Sequence, residues 1–425
     1  LRSWGRSSSL FVESEKIELE SSAVYDSTGI YRTHTYKTRF TLDMAQAYYS
    51  FDSRYGGQGM AYFLFSDILG DHKIYVGSEM EVNLKRSDYF LFYRFLPYKI
   101  DWNFAFYHIA YQQPLGYPEP KLYQNIGIGI GTSKPVSRFT RIDAGLDFNH
   151  IIKSRISIFQ DQSNPQYYDE EISYEESFST LIPSIKYTWD NALWSYTHPV
   201  EGFRYFLKYR TSPGINEKSL TFHSATMDGR KYFRLFNGVS FASRFFAGTN
   251  WGSDSQKFRL GGVPWLFSSD RYSERFYGGE NAPSVEELYF SEYVMPLRGV
   301  QISNKFGQNV FLANLELRLP FLIYYFPALK YLGQINGVLF TDFGATWDSE
   351  YPKFLDECNW ESTANGNTKC DQISQQRTGW LMSYGFGPRF IFLGMPWQLD
   401  YAWQYNPHKG TISERQWYLT IGLDF

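Results

Sequence analysis

The 425-residue chain contains no run of about eighteen apolar residues, the length an α-helix needs to cross a bilayer. Its mean hydropathy is −0.40, and helical membrane spans are excluded. Charge of one sign is also scarce. The formal net charge is −3 and the pI ≈ 6.2, so there is no basic footprint for nucleic acid. Histidine is sparse, and His72, His150, His223 and His408 lie one per segment with no ligand spacing. A Gly-x-Ser-x-Gly elbow, a His-Glu-x-x-His helix and a phosphate loop are all absent. The chain is therefore expected to have no catalytic centre, no cofactor and no metal. Its two cysteines, Cys358 and Cys370, share one polar stretch. They read as a loop disulfide in an oxidising compartment, with two unrelated thiols as the alternative. No shift in composition divides the chain into soluble domains.

What is abundant is aromatic. Tyr, Phe and Trp make up 20% of the residues. Outer-membrane barrels carry aromatic girdles at both interfaces, which accounts for such an excess. The carboxy-terminal segment gives the clearest local pattern. Trp417, Leu419, Ile421, Leu423 and Phe425 alternate with Tyr418, Thr420, Gly422 and Asp424. Successive strand side chains point to opposite faces, so this is a strand with one apolar and one wet face. A long terminal strand ending on Phe suits one that closes a barrel. Among the other segments, Phe311, Ala313, Leu315, Leu317 and Leu319 form one face, with Asn314, Glu316 and Arg318 on the other. Trp397, Leu399, Tyr401 and Trp403 alternate with Gln398, Asp400 and Ala402. A charge facing lipid costs a few kcal/mol, which assigns Glu316, Arg318 and Asp400 to the lumen.

Read along the chain, residues 1–36 form a polar linker or periplasmic tail, and residues 37–425 form the barrel. The chain begins at Leu1 without Met or a signal peptide, so a mature or trimmed form is expected. About sixteen strands are predicted, with short turns on one side and long loops on the other, the layout of a transmembrane antiparallel β-barrel. An even count places both termini on the periplasmic side. Residues 141–156 and 177–189 are expected as strands joined by a polar loop over 160–176, and residues 239–260 as one strand. The longest connection, 261–299, separates these strands from the last five. A soluble propeller would need a repeat of about 40–50 residues, and none is present.

Three segments carry charge in a specific pattern: Tyr293–Val300 around Arg298-Gly299, Asn314–Pro320 around Glu316, and Phe340–Trp347 around Asp342. Glu316 and Asp342 fall in the inward phase of neighbouring strands. Gly299 permits a tight turn that folds the loop tip inward, setting Arg298 between the two carboxylates. The acids read as structural partners of Arg298 rather than as acid–base groups.

These segments resemble the bacterial surface-antigen barrel family, which includes BamA and the two-partner secretion transporters. The resemblance implies a sixth loop folded into the lumen, with Arg298 and Gly299 at its tip and acids on strands twelve and thirteen, here Glu316 and Asp342. Phe258-Arg-Leu-Gly261-Gly262, Gly385-Phe-Gly387-Pro-Arg389 and Leu399-Asp400-Tyr-Ala402-Trp403 look like further family motifs. Val300 departs from the pattern, where the family places an aromatic. Residues 1–36 are too short for a POTRA module. Phe65–His72 resembles a subgroup whose barrel follows a TolB-like propeller.

Two functions are implied. One is outer-membrane protein insertion or export, with the seam between first and last strands as the working edge. The other is a plugged, non-catalytic anchor within a larger envelope complex. A diffusion pore ranks last, because the folded-in loop blocks the lumen. The expected location is the outer membrane of a diderm bacterium. Expected partners are its lipids, including lipopolysaccharide or an equivalent, together with envelope lipoproteins and client barrels.

Overall fold

The computed structural model describes residues 36–52, 56–80, 87–112, 120–160, 168–195, 198–236, 238–263, 267–269, 291–300, 304–320, 335–348, 360–362, 368–370, 380–392, 395–406 and 411–422. Among the described residues nineteen strands form one sheet; three are two-residue arms, and the other sixteen make the wall. The first eight are β1 (Phe40–Asp52), β2 (Gly56–Asp67), β3 (His72–Met80), β4 (Asp88–Phe95), β5 (Asp101–Gln112), β6 (Lys121–Pro135), β7 (Thr140–Gln160) and β8 (Tyr168–Asp190). The second eight are β9 (Pro199–Pro213), β10 (Thr221–Phe236), β11 (Val239–Trp251), β12 (Asn309–Leu319), β13 (Asn336–Trp347), β14 (Leu381–Phe392), β15 (Met395–Asn406) and β16 (Gln416–Ile421).

Each strand pairs antiparallel with the next in sequence from β1 through β16. The result is an all-β meander, the architecture that satisfies backbone groups where water is excluded. No ladder joins β1 to β16 among the described residues. The two strands that flank the seam are therefore not paired with each other there, and residues 40–47 of β1 are exposed.

Alternation sets the two faces. On β12 the buried residues are Val310, Leu312, Asn314, Glu316 and Arg318, in strict alternation with half-buried neighbours. Outward positions across the sheet carry exposed apolar side chains, among them Phe63, Phe106, Ile130, Phe148, Leu207 and Phe245. A water-facing surface does not tolerate so broad an apolar belt, whereas lipid requires one.

Two expectations need correction. The polar stretch 160–176 is not a loop throughout, because β7 and β8 continue as a paired hairpin to Gln160 and Tyr168. Polar residues extend a hairpin once it leaves the membrane and both faces are wet. Here Lys153–Glu176 and Arg155–Glu175 ion pairs, each at 2.8 Å, link its strands. Residues 239–260 are also not one strand. β11 ends at Trp251, and Phe258–Leu260 joins a separate small sheet, parallel to Glu292–Val294 and antiparallel to Lys305–Gly307.

That small sheet belongs to the long sixth loop. Its buried Phe258, Leu260, Val294, Leu297 and Val300 pack with Phe246, Val310, Leu312 and Leu381 of the wall. The loop thus carries its own core against the inner faces of β11, β12 and β14. Burial of several large apolar side chains, at roughly 1.5–3 kcal/mol each, holds it there. Val300 lies in this cluster with 1% exposure, so an aliphatic residue fills the space at the tip.

Candidate functional site

The loop tip is positioned by backbone geometry before charge acts. Gly299 has φ +76°, a conformation that favours glycine, and a Cβ there would sit 3.1–3.3 Å from β15 atoms at Ala402, Trp403 and Gln404. The turn therefore seats directly on β15. At Gly344 of β13 a Cβ would meet Leu260 and Leu297 at 3.0 and 3.3 Å, so the loop sheet rests on bare backbone there too.

This turn directs Arg298 into the wall. Its Nε donates to Asp342 Oδ2 at 2.8 Å and its Nη2 to Asp342 Oδ1 at 2.7 Å. Nη1 donates to Glu316 Oε1 at 2.7 Å, and the Arg298 backbone amide donates to Asp342 Oδ2 at 3.0 Å. The guanidinium also stands 3.6 Å from the centre of the Phe340 ring. Arg298, Glu316 and Asp342 are each 2% exposed or less. Burial alone would weaken the Arg298 charge, but the facing carboxylates of Asp342 and Glu316 outweigh it and hold the guanidinium firmly protonated.

The cluster extends beyond these three residues. Arg318 donates through Nε and Nη2 to Glu316 Oε2 at 3.0 and 2.7 Å, and through Nη1 to the Pro199 carbonyl at 3.0 Å. Asn314 Nδ2 donates to Asp342 Oδ1 and to the Pro296 carbonyl of the loop, both at 2.8 Å. Arg389 and Asp400 pair at 2.9 Å across β14 and β15. A further group lies on β10 and β11, where Asp228 accepts from Arg230 and Arg244 while Arg244 Nη1 donates to the Met295 carbonyl at 2.5 Å.

The Asp228–Arg230–Arg244 group and Asn314 were not singled out from sequence as loop anchors. Their signal was the inward phase of β10 to β12, where Arg230, Arg244 and Asn314 fall in one row across three strands. This arrangement binds the loop to the wall through charge-assisted bonds in a dry interior. Among the described residues, no group of His, Cys, Asp and Glu could hold a metal ion.

The terminal strand pattern divides at the limit of the described residues. Tyr418 of β16 is buried, and Trp417, Leu419 and Ile421 lie in the opposite phase, with Ile421 exposed. Leu423 and Phe425 lie outside the described residues, as does Cys358. Cys370 ends the short hairpin Trp360–Ser362 with Thr368–Cys370, and the expected disulfide is thus not described.

Residues 91–425 match the Omp85 superfamily domain. The chain belongs to the Omp85 superfamily, and it is an outer-membrane barrel of the protein assembly and translocation kind. Its homologues in that family are outer-membrane proteins of Gram-negative bacteria. Among solved structures, BamA from Haemophilus ducreyi lacking POTRA domains 1–3 is 14% identical, with a TM-score of 0.56 over 91% of this chain and 70% of that one. CdiB from Acinetobacter baumannii is 11% identical, with a TM-score of 0.48 over 91% of this chain and 60% of that one. No curated protein matches the chain by sequence.

Proposed function

We propose that this barrel handles other polypeptides of the envelope at the seam between β1 and β16, inserting or exporting them, and does not conduct solutes through its lumen. One observation carries the reading. The wall is fully paired from β1 to β16 yet unpaired between those two strands among the described residues. In a membrane, unsatisfied backbone groups at a strand edge are costly, so such an edge is a template for an incoming strand. The lumen is a poor conduit because the sixth loop packs its core against β11, β12 and β14.

The reading includes both termini on the periplasmic side and contact of the outer belt with the surface leaflet, lipopolysaccharide or an equivalent lipid included. Residues 1–36 serve as a tail, and envelope lipoproteins or client barrels are the protein partners. Arg298, Gly299, Glu316 and Asp342 are non-catalytic and fix the loop that backs the seam.

A photoreactive residue placed at Leu42 of β1, and separately at Leu207 of β9, tests it. The Leu42 probe should capture barrel or exported polypeptides during their synthesis, and the Leu207 probe should capture none. Equal capture at both sites would refute the seam as the working edge.

A further inference from the structure

β16 is paired on both of its edges, and one of its partners is not a wall strand. On one side Leu399 and Asp400 of β15 face Leu419 and Tyr418. On the other, Phe267 and Ser268 of the sixth loop pair antiparallel with the same two residues. Just beyond the pair, the Ser269 amide donates to the Trp417 carbonyl at 3.0 Å, and the Trp417 amide donates to Ser269 Oγ at 2.9 Å. The arm continues directly from the luminal part of the loop. Gly262 pairs with Leu297 next to Arg298, and Val263 is buried with Val338, Phe340, Ala402 and Tyr418. Only three residues, 264–266, separate Val263 from Phe267.

A strand edge accepts one partner at a time. Where Phe267 and Ser268 pair with Leu419 and Tyr418, neither β1 nor an incoming strand can pair with those residues. We infer that residues 267–269 form a latch that occupies the β16 edge and ties access to the seam to the position of the Arg298-bearing loop. This rests on the seam reading above. The latch is short by design of its contacts. It pairs over two residues, whereas β1 offers thirteen and most wall strands twelve or more, so a full strand that begins to pair can displace it. Its tether to the buried Arg298 cluster keeps it local and ready to return.

The test uses the full chain in native outer membranes, with Cys358→Ser and Cys370→Ser to remove other thiols. Phe267→Cys with Leu419→Cys is the in-register pair, Ser268→Cys with Tyr418→Cys is a second, and Phe267→Cys with Ile421→Cys is shifted by one pleat repeat. Under mild oxidation at least one in-register pair should crosslink roughly tenfold faster than the shifted pair, because Cα atoms more than about 7 Å apart are not bridged without movement. Equal rates would overturn the latch. In the same cells the oxidised lock should reproduce the outer-membrane protein losses caused by depleting the protein, and a reductant should restore them. A lock without effect, in cells where depletion has one, overturns the latch and leaves the proposed function standing. Depletion without effect overturns the proposed function, and the crosslink ratio alone then decides whether the arm holds the edge.

Discussion

Asp342 accepts three hydrogen bonds from Arg298, two from its guanidinium and one from its backbone amide. Loop tip and β13 are therefore joined through both side chain and main chain. The carboxylate also accepts from Asn314, which in turn donates to the Pro296 carbonyl. A single aspartate thus fixes residues 296–298 of the loop.

Arg298→Ala leaves Asp342 and Glu316 buried without their shared cation. Breaking one side of a buried pair costs about 3–5 kcal/mol. The folded barrel should lose its compact form on a semi-native gel at a clearly lower temperature than the parent. An unchanged transition would show that the loop is held by its apolar core alone.

Arg298→Lys tests geometry against charge. An ammonium cannot present the planar fork that reaches Asp342 and Glu316 together. Its gel transition should lie nearer that of Arg298→Ala than that of the parent. Recovery to the parent value would mean that charge alone suffices.

Gly299→Ala probes the turn without touching a charge. The left-handed conformation costs a non-glycine residue roughly 1–2 kcal/mol. The added Cβ would also press on Ala402 and on the β15 backbone at 3.1–3.3 Å. A lower thermal midpoint is expected, smaller in effect than that of Arg298→Ala.

The barrel itself was legible because lipid and lumen demand opposite residues on alternate positions. On β12, the phase that places Phe311, Leu315 and Leu317 on one face places Glu316 and Arg318 on the other. Four features were hidden for physical reasons. The polar far ends of β7 and β8 read as loop, because strands outside the membrane have no apolar face to reveal them. The loop sheet, with three residues per strand, is too short to show alternation. The Asp228, Arg230 and Arg244 group depends on register: inward phase shows that all three point to the lumen, and only pairing places Arg230 opposite Arg244. The arm at Phe267 and Ser268 has no sequence signal at all, since any two residues can pair with an open edge.

The exposed apolar belt gives a further prediction. Phe245 stands midway along β11 and is exposed outward. Phe245→Arg should destabilise the barrel in lipid by about 2–4 kcal/mol, the range for a cation at the bilayer midplane. The lumen-side change Lys208→Arg should be close to neutral. Denaturant titration of both variants refolded into vesicles measures the difference, and equal effects would contradict the assignment of faces.

The most direct measurement is quantitative outer-membrane proteomics after depletion of this protein. Work on many polypeptides at the β1–β16 seam predicts the loss of many unrelated barrels or surface proteins. Loss of only one or two co-purifying proteins would contradict it and identify a plugged structural subunit of a dedicated complex.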